Sequence, residues 1–443
     1  MTSTASHATA SHADARRRPA GARARTLALA LAAAALSLAA LGDAARAQTV
    51  AITGATVYPT PERKLEGATV LLRDGVITAL GVGVTIPADA TRLDASGKIV
   101  TAGLIESASQ LGLVEIQLER SSSDGRFGTT PTEIHAAFRA VDAFDARAVA
   151  IPIARTGGVT SAIVGPRGGL LAGQAAWVPL DDAARPAPPI RAPAAMIAAL
   201  GPSAIEGGSR GQAVERLREV LDDAAQYERT RAAYDRNQSR KLVGERLDLE
   251  ALRPVLRGQI PLIIAADAES DVRAALALAK ERRLRLVIAG GAEAWRVADE
   301  LAAERVAVIV DPTDNLPGEL YATDVRDDNA AVLAMAGVQV AISTLGDASA
   351  ARTIRQLAGI AVSNGLPWER GLAALTTVPA AIFGKPARGQ LAVGGPADLV
   401  IWTGDPLELT SRAEHVFIGG VAQSMRTHQS RLLERYRRLP FVP

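Results

Sequence analysis

Between residues 99 and 376 the chain alternates short apolar runs with helical patterns, and that alternation constrains the fold more than any other feature. The runs are 99–105, 159–164, 175–178, 194–200, 262–266, 285–289, 306–310 and 338–343. Helical periodicity is clearest over 271–283, 292–302, 330–336, 349–363 and 367–376. Continuous apolar runs suit strands buried on both faces, and strand–helix repetition places such strands in a parallel α/β sheet. Eight of them over roughly 250 residues suit a closed (β/α)8 TIM barrel. The alternation alone leaves an open doubly wound sheet available, and the third and fourth runs are weak and flanked by prolines.

Two incomplete β patches flank this region. In residues 48–98, Ala51-Ile52-Thr53 and Ala55-Thr56-Val57-Tyr58 read as strands, and Arg73-Asp74-Gly75 separates two more as a hairpin turn. In residues 390–422, Leu399-Val400-Ile401-Trp402 and His415-Val416-Phe417-Ile418 read as strands, with Gly419-Gly420 closing the second. Neither patch has enough strands for a core of its own. One small composite β-sandwich built from both ends is expected, with 99–389 forming the barrel.

The first 47 residues read as a secretory signal peptide. Arg16, Arg17, Arg18, Arg23 and Arg25 precede an apolar run from Leu27 to Leu41, and Ala45-Arg46-Ala47 is a small-x-small cleavage pattern. Cleavage after Ala47 implies a periplasmic or extracellular protein. Without the six Arg and two Asp of that leader, the net charge of +2 becomes −2. A nucleic-acid partner then has no electrostatic support. No later stretch is long and apolar enough to span a bilayer. The chain has no cysteine, which excludes a disulfide scaffold, a thiolate metal site and a cysteine nucleophile. Residues 207–253 are charged and read as a mostly exposed helical insertion or lid. The tail, 423–443, contains a basic helix at 429–438, expected to pack through Leu432, Leu433 and Tyr436.

Three phrases in order carry a family resemblance. Asp94-Ala95-Ser96-Gly97-Lys98-Ile99-Val100-Thr101-Ala102-Gly103-Leu104-Ile105-Glu106 resembles the entry to the first barrel strand of metal-dependent amidohydrolases. Pro367-Trp368-Glu369 through Thr376-Thr377-Val378-Pro379-Ala380 resembles their last helices. Gly394-Gly395-Pro396-Ala397-Asp398-Leu399-Val400-Ile401-Trp402 resembles their return to the small β domain. The likeness runs from about Val50 to Gly420 and is nearest to the imidazolonepropionase-like branch. It implies a (β/α)8 barrel with a composite β-sandwich. The implied activity is hydrolysis of non-peptide carbon–nitrogen bonds with zinc or another divalent metal, which lowers the pKa of bound water and polarises the carbonyl.

The resemblance also says where metal ligands belong, at the C-terminal strand ends. The two histidines after the first strand fall at Ala108 and Gln110. The histidine after the fifth falls at Ala265, that after the sixth near Ala289 or Gly290, and the aspartate after the eighth at Leu345. No ionisable residue stands between Arg191 and Glu206 to supply a bridging ligand. The expected positions are therefore substituted, no metal or other cofactor is expected, and His135, His415 and His428 are scattered.

Other residues offer weaker candidates. Glu106, Asp267 and Asp347, with Glu115 and Asp311, either face the barrel mouth as a carboxylate site or cap helices. Arg167, Gly168, Gly169 and Gln174 lie in a glycine-rich loop after the second strand, suited to an anionic group. Two function classes stay open. One is a degenerate hydrolase, weak or inactive, or one with an unusual carboxylate site. The other is a non-catalytic binding barrel for a small amide or peptide-like ligand, or a subunit supporting a paralogous amidohydrolase or a second copy of itself.

Overall fold

The computed structural model describes residues 49–437 apart from 128–132, 183–186, 202–203, 206–207 and 318–319. The expected leader lies outside the described residues. No helix among the described residues is long and apolar enough to cross a membrane.

Both chain ends build one small sheet. Its strands are β1 (Val50–Thr60), β2 (Arg63–Arg73), β3 (Val76–Gly81), β4 (Thr91–Asp94) and β5 (Ile99–Ala102), then β14 (Leu399–Trp402), β15 (Ala413–Ile418) and β16 (Val421–Ala422). They pair in the order β16-β15-β14-β5-β1-β2-β3, with β4 beside β1. The Asp74-Gly75 turn works because both residues adopt positive φ, 53° and 79°, which matches the twist of the paired strands. Ile52, Val57, Val70, Leu72, Leu399 and Phe417 share a core that neither end can form alone.

The second sheet is the barrel. Its strands are β6 (Leu104–Ser109), β7 (Val159–Val164), β8 (Leu171–Pro179), β9 (Arg191–Ala199), β10 (Leu262–Ala266), β11 (Leu286–Gly290), β12 (Ala307–Val310) and β13 (Val340–Ile342), paired in sequence order. Strand alternation divides the apolar residues. Ile263 faces an interior core with Ile105, Trp177 and Phe383, while Leu262 and Ile264 pack outward against the helices.

Four expectations are corrected. The apolar run 99–105 is not one strand. It breaks at Gly103, so 99–102 belongs to the small sheet and the first barrel strand starts at Leu104. A side chain at Gly103 would collide with Thr160, which is why a glycine stands where the chain crosses between the sheets. The barrel is not uniformly parallel, because β8 runs antiparallel to both β7 and β9. The chain between Val164 and Leu171 is too short for a parallel crossover, which needs about a dozen residues or more.

The charged stretch is not an exposed lid. Its main helix, α1 (Arg210–Asp235), buries Ala213, Leu217, Val220, Leu221, Ala224 and Tyr227 along one face. These residues join the outer barrel core, so α1 is part of the helix layer. Lastly, the tail helix α2 (His428–Tyr436) buries none of its residues, and Leu433 is 66% exposed.

Candidate functional site

The C-terminal ends of the barrel strands converge on two adjoining hollows. The inner one, about 70 Å³, is walled by Ala108, Gln110, Ile163, Ile197, Ala265 and Leu345, among others. The outer one, about 430 Å³, adds Asp267, Gly290, Asp311, Thr313 and Asp314. Arg167, Ala265, Ala289 and Leu345 border both. The positions where the resemblance requires metal ligands therefore do meet in space, and they meet as an apolar wall.

The residues present there do not fit a divalent cation. Such ions need imidazole or carboxylate donors converging from several directions. Ala108, Ala265, Ala289 and Leu345 have none. Gln110 is committed elsewhere: its side-chain amide donates to the Gly125 carbonyl at 3.1 Å and holds the loop that carries Arg126. Among the described residues no three or more His, Asp or Glu are grouped to hold a metal. His135 stacks on Phe127 with ring centroids 3.7 Å apart. His415 lies on β15 and His428 on α2.

Glu106 does not face the mouth. Its side chain is fully buried where β6 meets β13, and the Ser343 hydroxyl donates to its carboxylate. The Ala108 N–H approaches the same group at 3.3 Å. Burial pushes the Glu106 pKa up to about 7, against the lowering pull of Ser343. Asp347 turns back on its own chain, accepting from the Ser349 N–H at 2.8 Å and its hydroxyl at 2.7 Å. Glu115 accepts from the Val149 N–H at 3.0 Å. Glu106, Asp267 and Asp347 thus do not form one carboxylate site. The first closes the barrel and the third organises a turn.

Asp267 is the acidic candidate that stays at the mouth. Its Oδ1 is buried without a hydrogen-bond partner. Gly290, at φ 88°, leaves the room it occupies. Burial, then the charge of Asp314, push its pKa up to about 6, although the Ala292 and Gly291 N–H groups pull it down. Asp314 is itself raised, by burial and by Asp311. Asp311 uses Oδ1 to accept from the N–H and hydroxyl of Thr313, at 2.8 and 2.6 Å.

Arg167 also reaches the mouth, while its loop neighbours do other work. Its guanidinium makes no hydrogen bond or ion pair among the described residues. Solvent reaches it, yet the surrounding walls, followed by the Arg126 charge, bring its pKa below the ordinary arginine value, and Asp267 opposes this. Gly168 has open space around it, at φ 104°. Gly169 is needed for a close approach to the Glu133 backbone, where a Cβ would lie 2.9 Å from the carbonyl oxygen. Gln174 lies on β8 and donates to the Ala136 carbonyl at 3.2 Å. Sequence reasoning missed Asp314, which lines the outer hollow, and Arg126, whose charge acts on Arg167 from beside it. The first follows Asp311 in the same strand-end loop, and a count of every charge in the strand-end loops finds it; the second carries no sequence signal.

With the geometry established, three comparisons bear on ancestry. The profile of the amidohydrolase family matches residues 341–422. The protein Amidohydrolase tasK of Hapsidospora irregularis is 24% identical over 389 residues, 80% of this chain and 39% of that protein. The chain thus spans about two-fifths of that relative's length. A solved amidohydrolase from Thermotoga maritima superposes with a TM-score of 0.76 at 27% identity, covering 85% of this chain and 100% of that one. N-isopropylammelide isopropylaminohydrolase from Burkholderia multivorans gives a TM-score of 0.52 at 14% identity, covering 86% and 100%, a likeness of fold.

Proposed function

This chain belongs to the amidohydrolase superfamily, and we propose that it uses the superfamily's barrel as a small-molecule binding site with little or no metal-assisted hydrolysis. One observation carries the reading. The strand ends that should supply imidazole and carboxylate instead present Ala108, Ala265, Ala289 and Leu345 to the inner hollow. Loss of one ligand leaves a weakened site; loss of all of them leaves nothing to orient a hydroxide. The fold tolerates that loss, because Ala108, Ala289 and Leu345 pack as apolar side chains against the interior core of Ile105, Ile263 and Trp177. The neutral wall and the exposed Arg167 still offer shape and one charge to a ligand.

The same reading takes the protein as exported and periplasmic or extracellular, on the strength of the arginine-rich start, the apolar run and Ala45-Arg46-Ala47. N-terminal sequencing of the mature protein then begins at Gln48.

The test of function is direct. Protein purified from zinc-, manganese- and cobalt-supplemented medium is analysed for metal and assayed on dipeptides, cyclic imides and lactams. The expected result is metal well below stoichiometry and no chelator-sensitive turnover. About one metal per chain, with turnover abolished by a chelator, overturns it.

A further inference from the structure

The outer hollow carries charges of both signs that are not paired with each other. The Arg167 guanidinium makes no ion pair or hydrogen bond among the described residues, and Arg126 stands near enough to repel it. Their backbones are bridged side by side, and of the two it is Arg167 that lines the hollow. Across the hollow, Asp267, Asp311 and Asp314 form the opposite pole. Asp267 feels Asp314, and Asp314 feels Asp311, so this pole is crowded by like charge as well.

The attraction between Asp267 and Arg167 offsets part of this crowding, and a ligand that brings both charges relieves both poles at once. An anion alone leaves the acidic pole repelling itself, and a cation alone does the same for the arginines. The apolar hollow of about 70 Å³ beside them takes a short hydrocarbon group, against Ile163, Ile197 and Ala265. We infer that the barrel mouth receives a small zwitterion with an apolar side chain, its carboxylate on Arg167 and its ammonium on the acidic pole of Asp267, Asp311 and Asp314. The chemical class is an apolar α-amino acid. A planar guanidinium suits the carboxylate, and several carboxylates lining one side of the hollow suit the three donors of an ammonium. This inference deepens the proposed binding role and rests on it.

Isothermal titration of the purified protein with L-leucine, L-leucinamide and N-acetyl-L-leucine tests it. Leucine binds, and each blocked form binds at least about tenfold more weakly, because each lacks one charge. Arg167→Met makes leucine and leucinamide bind alike, and Asp267→Asn narrows the gap between leucine and N-acetyl-leucine. Arg167→Lys keeps a preference for the carboxylate, and the three-ligand series on the unaltered protein decides the matter even if a variant does not fold. Equal binding of either blocked form, or no binding of leucine at millimolar concentration, overturns the inference. Chelator-sensitive turnover alongside intact discrimination overturns the non-hydrolytic reading alone. Lost discrimination without turnover overturns this inference alone.

Discussion

Glu106 and Ser343 join the first and last barrel strands: the Ser343 hydroxyl donates to the fully buried Glu106 carboxylate across the seam between β6 and β13. The Leu345 N–H in turn donates to the Ser343 oxygen at 3.1 Å, so the chain end carrying Leu345 is fixed by the same contact. A residue that reads in sequence as a possible catalytic carboxylate is therefore a closure device. A strand-end acid suits a mouth site in any barrel, and only burial separates the two uses.

That burial gives a pH signature. The folded Glu106 pKa is about 7 against an ordinary 4.5, so the folded chain retains a proton that the unfolded chain releases between those values. Its contribution to stability is full below the unfolded pKa and is lost as pH rises through the folded one. Glu106→Gln removes the titration while keeping an acceptor. Relative to the unaltered protein, the variant gains stability between about pH 5 and about pH 8, by up to roughly 3 kcal/mol. Urea unfolding at both pH values measures the difference, and a pH-independent difference contradicts the assignment.

Ser343→Ala removes the principal donor and leaves a buried acceptor without it. A hydrogen bond to the neutral carboxyl contributes about 0.5–1.5 kcal/mol and one to the carboxylate about 1.5–3, so the loss is expected to grow as pH rises through about 7. Because Ser343 holds the Glu106 pKa down, the variant also moves the stability transition to higher pH. Ser343→Thr keeps the hydroxyl, and its midpoint should stay near that of the unaltered protein if the new methyl fits the seam.

Arg355 ties the helix Ile354–Ser363 to the segment returning to the small sheet. Its guanidinium is buried and donates to the carbonyls of Pro406, Glu408 and Ser411 at 3.1, 2.7 and 2.7 Å. Arg355→Met strands all three acceptors, for a loss of roughly 3 kcal/mol or more. Arg355→Lys recovers only part, since one ammonium does not span the three carbonyls as a planar fork does. Faster proteolysis within 405–412, together with a lowered urea midpoint, checks this.

The barrel is legible in the sequence because its strands are apolar on both faces, as in Leu262-Ile263-Ile264, and such runs stand out against helical periodicity. The reversal of β8 is hidden in those same runs, which read alike in either direction; only the short gap between Val164 and Leu171 signals it. The break at Gly103 is invisible in an unbroken apolar phrase, because it depends on how close Thr160 comes. In α1 the spacing of Ala213, Leu217, Val220, Leu221 and Ala224 is that of a packed face, masked by the charges between them. At the mouth, the family resemblance sufficed to place Ala108, Ala265 and Leu345 together. The opposition of Arg167 to Asp267 was not legible, because it joins loops of different strands, about a hundred residues apart.

Gly346 gives the mouth its last test. It sits at φ 101°, and a Cβ there would lie 2.5 Å from Nη1 of Arg167. The glycine is what lets the guanidinium rest against the end of the last strand. In Gly346→Ala the flexible arginine yields more easily than the backbone, so Arg167 swings away from the hollow. The strained φ costs about 1 kcal/mol or somewhat more, which shows as a modest fall in melting temperature. Binding should fall much further, with the preference for leucine over leucinamide shrinking toward that of Arg167→Met. A variant that melts lower but discriminates as well as the unaltered protein would show that Arg167 does not act from this position.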